Sequence, residues 1–301
     1  MKPKFLFEII MSNQCNRRCE YCKLDFVEQH ISRQYLDDMI ALLKIHQWEY
    51  ESVQINFFGG EPLLNFKGIE YFVEQTQGLS NMSYSIGTNG LLLDSKKFEY
   101  FREHNFNIYL SIDTEIYPMI LKKYFLKTDL SRVQLNFIIN PKSVHSSFEL
   151  FDQCVSFGFE KINILPVMFS IAWDTDALKI LKQFVDEKVT PIWNNTPQVN
   201  LVSYYNGVSC EQQYVLDSDG YLYTDLDSLL WIQKQGPVLS EQMKQSIETK
   251  TKVGKISEMS LKKLVDFYDI KDILFLVKSI PASQGFSALY DVISKIFHGP
   301  K

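Results

Sequence analysis

Short apolar segments alternate along the chain with longer segments of helical period. This alternation predicts repeated βα units and a parallel sheet. The predicted strands are Phe5–Met11, Ser52–Phe58, Met82–Ile86, Asn107–Ile112, Val133–Ile139 and Lys161–Leu165. A helix is predicted after each strand, near Ser32–His46, Phe66–Gln77, Asp94–His104, Thr114–Phe125, Ser143–Phe157 and Asp174–Glu187. Asp94 is expected to cap its helix by accepting from free backbone N–H groups.

The number and spacing of these units indicate the fold class. Six units in about 185 residues fit a partial (β/α)6 TIM-like barrel better than a flat doubly wound sheet, although periodicity alone does not separate the two. The pattern breaks after Pro191, and a hairpin follows with its turn at Asp217–Gly220. We therefore predict an α/β chain with two parts, a partial barrel over residues 1–190 and a smaller α+β region over 191–301.

Composition narrows the possible partners and the compartment. A hydrophobic fraction of 46% and a charged fraction of 22% are typical of a folded globular protein. The net charge of -5 gives no excess of basic residues, so no nucleic-acid partner is expected. The apolar run near the N-terminus is too short for a signal peptide or a membrane span, so no membrane association is expected. Five cysteines, an odd number, favour a metal site in a reducing compartment, and we expect a cytoplasmic protein.

Three of the cysteines are closely spaced after the first predicted strand, as Cys15-x3-Cys19-x2-Cys22. Cysteine thiolates are the usual ligands of iron–sulfur clusters, and three ligands leave one iron of a four-iron cluster open to a cofactor or substrate. A structural zinc site would require a fourth protein ligand at short spacing, and none lies nearby in the sequence. A zinc knuckle or three unrelated buried thiols remain the alternatives.

Tyr21 precedes the third cysteine, and the whole loop resembles the cysteine-x3-cysteine-x-aromatic-cysteine signature of the radical S-adenosylmethionine (SAM) superfamily. The resemblance covers roughly residues 5 to 190. In that family the cysteine loop follows the first strand of a six-unit partial barrel, and the active site lies at the carboxyl ends of the strands. It implies one [4Fe–4S] cluster held by Cys15, Cys19 and Cys22, with SAM bound at the open iron.

Two further motifs support the resemblance. Gly59-Gly60-Glu61-Pro62, directly after the second strand, resembles the family's glycine-glycine-glutamate motif, which receives the amino group of SAM. Thr88-Asn89-Gly90, after the third strand, resembles a turn of the subgroup that modifies peptides and proteins. Taken singly, the first is also compatible with an ordinary βα turn and the second with a generic Asn-Gly turn.

The later strands carry weaker matches. Ser111-x-Asp113 resembles the subgroup's serine-x-aspartate, which implies a SAM contact for Ser111, whereas Asp113 either faces the substrate or caps the next helix. Lys123 lies where the subgroup has an arginine for the SAM carboxylate, and a lysine offers a point charge in place of a fork. Asn136 and Leu165 lie where the family packs the nucleoside, although plain core is the other interpretation for Leu165.

The C-terminal region resembles the SPASM domain of peptide-modifying members without its auxiliary clusters. Cys210, nine residues, Gly220 and four more residues keep the frame of that domain's opening motif, but Asp225 replaces the second cysteine and no cysteine follows. We therefore predict a single cluster. Cys210 is then either a thiol that donates a hydrogen atom to a substrate radical or an inert buried residue, and Cys154 is predicted to be core.

The resemblance implies a mechanism and leaves three functions open. A reductant such as flavodoxin or ferredoxin would supply one electron, SAM would be cleaved to a 5′-deoxyadenosyl radical, and that radical would remove hydrogen from the substrate. The favoured function is modification of a ribosomally made peptide, by epimerisation or cross-linking. The alternatives are an enzyme acting on a small metabolite and a metal-binding protein without catalysis.

Overall fold

The computed structural model describes residues 2–22, 27–117, 120, 130–167, 171, 173–191, 200–201, 211–223, 245 and 252–260. The strands are β1 (Lys4–Ser12), β2 (Ser52–Gly59), β3 (Met82–Thr88), β4 (Asn107–Ile112), β5 (Val133–Ile139), β6 (Lys161–Pro166), β7 (Asn200–Leu201), β8 (Glu211–Leu216), β9 (Tyr221–Tyr223) and β10 (Lys252–Lys255). The helices are α1 (Arg33–Ile45), α2 (Phe66–Thr76), α3 (Ser95–Glu103), α4 (Ser147–Ser156) and α5 (Thr175–Phe184). The six predicted strands are confirmed, because each is found within about two residues of its expected position.

The chain divides into two compact units. The first unit comprises residues 1–88, 104–106 and 210–280, and the second comprises 89–103, 107–209 and 281–301. The predicted boundary near residue 190 stays a prediction. Most of the predicted helix at 114–125 and most of the amphipathic segment from 240 to 297 lie outside the described residues.

In the first unit, β1 pairs in parallel with β2 and β2 with β3. The predicted hairpin is confirmed, since β8 and β9 are antiparallel and Gly220 in the turn has a φ of 83°. Its first strand extends the sheet: β8 runs parallel to β1, from Lys4 opposite Glu211 to Ile9 opposite Leu216. The hairpin therefore extends the N-terminal sheet beside β1, and its turn lies near the end of β1 from which the cysteine loop leaves.

In the second unit, β4, β5 and β6 are parallel neighbours. Buried and partly exposed residues alternate along β4 and β5, as in strands with one face packed under helices. Phe137 of β5 packs edge-on against Phe151 of α4 at 5.7 Å and stacks on Phe184 of α5 at 6.0 Å. The opposite face of these strands therefore points away from α4 and α5.

Local sequence signals account for the helix ends. Asp94 caps α3 by accepting from the Lys97 amide at 2.9 Å, as predicted, and Asp174 caps α5 in the same way. The helix expected from Ser143 begins later, at Ser147. A short 3-10 segment starting at Pro141 precedes it, and Ser143 itself has non-helical backbone angles. Within the described residues, no helix is long and apolar enough to cross a lipid bilayer.

Candidate active site

The cysteine loop leaves β1 at Ser12 and is closed at its base by a short backbone stem. The Ile31 amide donates to the Met11 carbonyl at 3.1 Å, and the Asn13 amide donates to the Gln29 carbonyl at 2.9 Å. The Ser12 hydroxyl lies 2.8 Å from Nδ1 of His30. These contacts close the base of the loop at the end of a buried strand, and the thiols lie outside the apolar core.

Cys15, Cys19 and Cys22 are partly exposed in this loop. The Arg17 amide donates to the sulfur of Cys15 at 3.3 Å, and the Cys22 amide donates to the Cys19 carbonyl at 3.0 Å. Partial burial raises the pKa of the Cys15 thiol; the Arg17 amide lowers it, and the nearby Glu61 carboxylate adds to the increase. A bound iron would offset this burial effect, because metal coordination deprotonates a thiol.

Three thiols on one loop fit a cluster with one open iron. Within the described ranges, no group of three or more His, Cys, Asp or Glu side chains is arranged around a single ion. A four-iron cluster does not require that arrangement, since each thiolate binds a different iron at its own corner. Hydrogen bonds to cluster sulfurs tune reduction potential, and the Arg17 amide already supplies one to Cys15.

Gly59 and Gly60 bring the end of β2 against the cysteine loop. The Gly60 amide donates to the Ser12 carbonyl and the Glu61 amide to the Gln14 carbonyl, both at 2.8 Å. A Cβ on Gly59 would lie 2.3 Å from the carbonyl oxygen of Ser12, and one on Gly60 would lie 2.2 Å from that of Gln14. The glycines therefore permit a close approach, and the partner seen in the structure is the backbone of the cysteine loop.

Glu61 joins two of the predicted motifs. Its side chain is fully buried at the start of the 3-10 turn that begins at Pro62. Its Oε1 accepts from the Thr88 hydroxyl at 2.8 Å and from the Leu63 amide at 3.1 Å. The glycine-glycine-glutamate and threonine-asparagine-glycine motifs therefore meet through this one carboxylate in the first unit. Tyr21, also in the first unit, is partly buried in the cysteine loop.

Two of the predicted residues in the second unit, Asn89 and Asp113, directly follow strands and accept hydrogen bonds from nearby backbone amides. Asn89 accepts from the Leu91 amide at 3.0 Å, which is a local turn contact. Asp113 accepts from the amides of Glu115 and Ile116, both at 3.0 Å, as a residue that caps the next segment does. These contacts favour the capping interpretation of Asp113.

A polar row crosses β4, β5 and β6 on the face turned away from α4 and α5. Ser111 is in register with Asn136, and Asn136 with Asn163. Nδ2 of Asn163 donates to Oδ1 of Asn136 at 3.2 Å, whereas Oδ1 of Asn163 has no partner although the residue is fully buried. Leu165, on the same face, is only partly buried. Such an unpaired acceptor is expected to bind a ligand or a water molecule.

Sequence reasoning missed Asn163 and a similar row in the first unit. Asn56 donates to Glu8 at 3.0 Å and accepts from Ser85 at 3.1 Å, and all three side chains are buried. The signal was present in the sequence, because Glu8 and Asn163 each interrupt an otherwise apolar strand, where a polar residue is unfavourable without a partner.

Cys210, Lys123 and Asp225 lie outside the described residues. Cys154 is fully buried on α4, which confirms that it belongs to the core.

Comparisons with known proteins show which family and fold the chain resembles. Residues 9–167 match the model of the radical SAM superfamily. The radical SAM cyclopropyl synthase TigE of Paramaledivibacter caminithermalis is 29% identical over 127 residues, which cover 36% of this chain and 26% of that protein. The S-adenosylmethionine-dependent nucleotide dehydratase of Psychrobacter lutiphocae is 25% identical over 146 residues, covering 44% and 46%. The matched part thus spans less than half of either relative.

A solved structure, native anSMEcpe with bound AdoMet and a peptide, superimposes with a TM-score of 0.64. It is 18% identical and covers 91% of this chain and 82% of its own. At this identity the likeness shows the fold, and it confirms the predicted α/β class related to a partial TIM-like barrel.

The family match includes the cysteine loop, Glu61 and Thr88, and it extends over more than half of the 301 residues. Proteins of this family use a [4Fe–4S] cluster and SAM, and three thiols on one loop suit the cluster. The chain therefore belongs to the radical SAM superfamily, and a [4Fe–4S] cluster and SAM are its cofactors.

Proposed function

We propose that this radical SAM enzyme modifies a ribosomally made peptide, by epimerisation or by cross-linking. The first outcome would make it an isomerase and the second an oxidoreductase. The proposal is supported by the motifs that resemble the peptide-modifying subgroup and by the likeness in fold to a structure that holds AdoMet and a peptide. The single observation that carries it is the hydrogen bond between Glu61 and Thr88, which joins the family's glycine-glycine-glutamate motif to the subgroup's threonine-asparagine-glycine turn beside the cysteine loop.

Each residue then has a proposed role. Cys15, Cys19 and Cys22 hold the cluster, and the Glu61 carboxylate receives the amino group of SAM while Thr88 fixes its orientation. When bound, the cluster and SAM supply the 5′-deoxyadenosyl radical that removes a substrate hydrogen atom. Ser111, Asn136 and Leu165 form the proposed nucleoside contacts; Asn89 and Lys123 remain further proposed SAM contacts.

SAM cleavage tests the core of this proposal. Anaerobically reconstituted protein should form 5′-deoxyadenosine from SAM and dithionite, and Cys19→Ala should abolish both iron binding and this product. Cys154→Ala is the matched control, because that thiol is buried in the core of α4 and should leave iron content unchanged. Full iron content in Cys19→Ala would refute the ligand set.

A small-metabolite substrate is the second candidate, and it is favoured by the similarity to a nucleotide dehydratase. An extract of the source organism should stimulate deoxyadenosine formation if it contains the substrate. Loss of that stimulation after protease digestion of the extract would support a peptide. Stimulation that survives digestion and passes a membrane retaining peptides would replace the peptide proposal with a metabolite.

Cys210 is proposed as the hydrogen-atom donor of an epimerase. Cys210→Ala should then continue to form deoxyadenosine while losing epimerised product, and the native enzyme in deuterated water should place one solvent deuterium on the product carbon, since thiol hydrogens exchange with water. A cross-linked product would instead be lighter by two hydrogens and carry no label. Full product yield in Cys210→Ala would make Cys210 a packing residue.

The proposed setting is the reducing cytoplasm, where iron–sulfur clusters and free thiols persist. A flavodoxin or ferredoxin is the proposed electron donor, and no nucleic-acid or membrane partner is proposed. A reaction in which reduced flavodoxin replaces dithionite would test the donor.

A further inference from the structure

The turn of the C-terminal hairpin lies against the base of the cysteine loop. Nδ2 of Asn13 donates to the Ser218 hydroxyl at 2.8 Å, and Nε2 of Gln29 donates to the Ser218 carbonyl at 3.3 Å. Asn13 and Gln29 lie at the two ends of the loop and are joined by their own backbone hydrogen bond of 2.9 Å. A single hairpin residue, 205 positions from Asn13 and 189 positions from Gln29 in sequence, therefore contacts both ends of the segment that carries Cys15, Cys19 and Cys22.

The hairpin turn is built into the first unit, unlike an ordinary exposed turn. Asp217 and Ser218 are 5% and 2% exposed, and the Asp217 carboxylate accepts from the Ser218 amide at 2.7 Å. At Gly220 a Cβ would lie 2.5 Å from the ring of Tyr35 on α1, so the turn packs directly on that helix. Because β8 also pairs with β1 up to Leu216, the turn is held from two sides at the point where β1 becomes the loop.

We propose that Ser218 is a positioning residue that clamps the two ends of the cluster loop and thereby holds the three thiols in the geometry that the cluster requires. The inference rests on the proposed ligand set Cys15, Cys19 and Cys22 and deepens it. A loop closed at its base has fewer conformations to lose when it orders around iron, so the clamp favours cluster retention. A change in the geometry of the loop would also change the hydrogen bonding and solvent exposure of the sulfurs, which are among the determinants of a cluster's reduction potential.

The test compares Ser218→Ala, Asn13→Ala and the double variant in reconstituted protein. Each single variant should lose iron to a chelator roughly three- to tenfold faster than the native protein, as expected for one lost hydrogen bond. The double variant should lose iron no faster than the less stable of the two single variants, because both changes remove the same contact. Ser147→Ala is the matched control, since Ser147 is also a buried serine but belongs to the second unit and its hydroxyl has no partner.

A purely structural role is separated by spectroscopy. Ser218→Ala should shift the reduction potential and the EPR spectrum of the reduced cluster, whereas Ser147→Ala should leave both unchanged even if its unfolding temperature falls equally. If Ser218→Ala does not fold, Gln29→Ala provides the second variant, because Gln29 is exposed and should be tolerated. If these variants lose iron at the rate of the native protein and give its EPR spectrum, the clamp is overturned. Iron retention in Cys19→Ala would instead refute the ligand set.

Discussion

At the scale of single residues, Glu61 has both a structural and a proposed binding role. Glu61→Gln removes the charge but keeps an oxygen that can accept from Thr88 and from the Leu63 amide. Weaker SAM binding is expected, by about 1.5 to 3 kcal/mol, because the ammonium group of SAM loses its anionic partner. Isothermal titration of the reconstituted enzyme would measure it, with iron content as the control. Unchanged SAM affinity would leave Glu61 as the cap of the 3-10 turn alone.

Cys154 differs from the loop thiols in its environment. Burial raises the pKa of its thiol from 9.0 to about 12, so the thiol stays protonated in the folded protein. Native iron-free protein should therefore be alkylated by iodoacetamide at the loop cysteines but not at Cys154, as read by mass spectrometry. As the pH rises, this thiol ionises in the unfolded protein before it ionises in the folded protein. The free energy of unfolding should therefore fall as the pH rises above 9.0. Alkylation of Cys154 at the rate of the loop thiols would contradict this.

At the scale of elements, the contact between the end of β2 and the cysteine loop depends on glycine. Gly60→Ala would place a methyl group 2.2 Å from the carbonyl oxygen of Gln14, a backbone atom that cannot rotate away. The loop must shift, at a cost of roughly 1 kcal/mol or more. If cluster-bound and cluster-free protein are present in similar amounts, this cost should lower the iron content after reconstitution by more than half. Gly78→Ala is the control, because nothing lies within 4 Å of its Cβ position. Equal iron content in the two variants would show that the loop adapts.

Most elements could be predicted from sequence because their signals are local. Asp94 marked the start of α3, and Gly220 marked a turn, in which it has a positive φ. The pairing of β8 with β1 could not be predicted in the same way, since a strand carries no local record of a partner some two hundred residues away. The role of Ser218 follows from that pairing and was missed for the same reason.

At the scale of the whole molecule, the number of cysteines limits the number of clusters. Anaerobic reconstitution should give about four irons per chain, as expected for one cluster. Iron and acid-labile sulfide analysis would measure it, and Cys19→Ala provides the iron-free baseline. A content of about eight irons or more would require ligands other than the expected thiolates and would overturn the single-cluster prediction.

The sequence by itself determined the chemistry and the order of elements: the spacing of Cys15, Cys19 and Cys22, the glycine-glycine-glutamate motif and the alternating βα pattern are all local features of the chain. Only the tertiary structure decided which motifs act together. It joined Thr88 to Glu61, set Gly59 and Gly60 against the loop backbone, and left the acceptor of Asn163 unpaired. The physical reason is that burial and hydrogen bonding depend on atoms brought together by sheet register, and register is a property of strands distant in sequence.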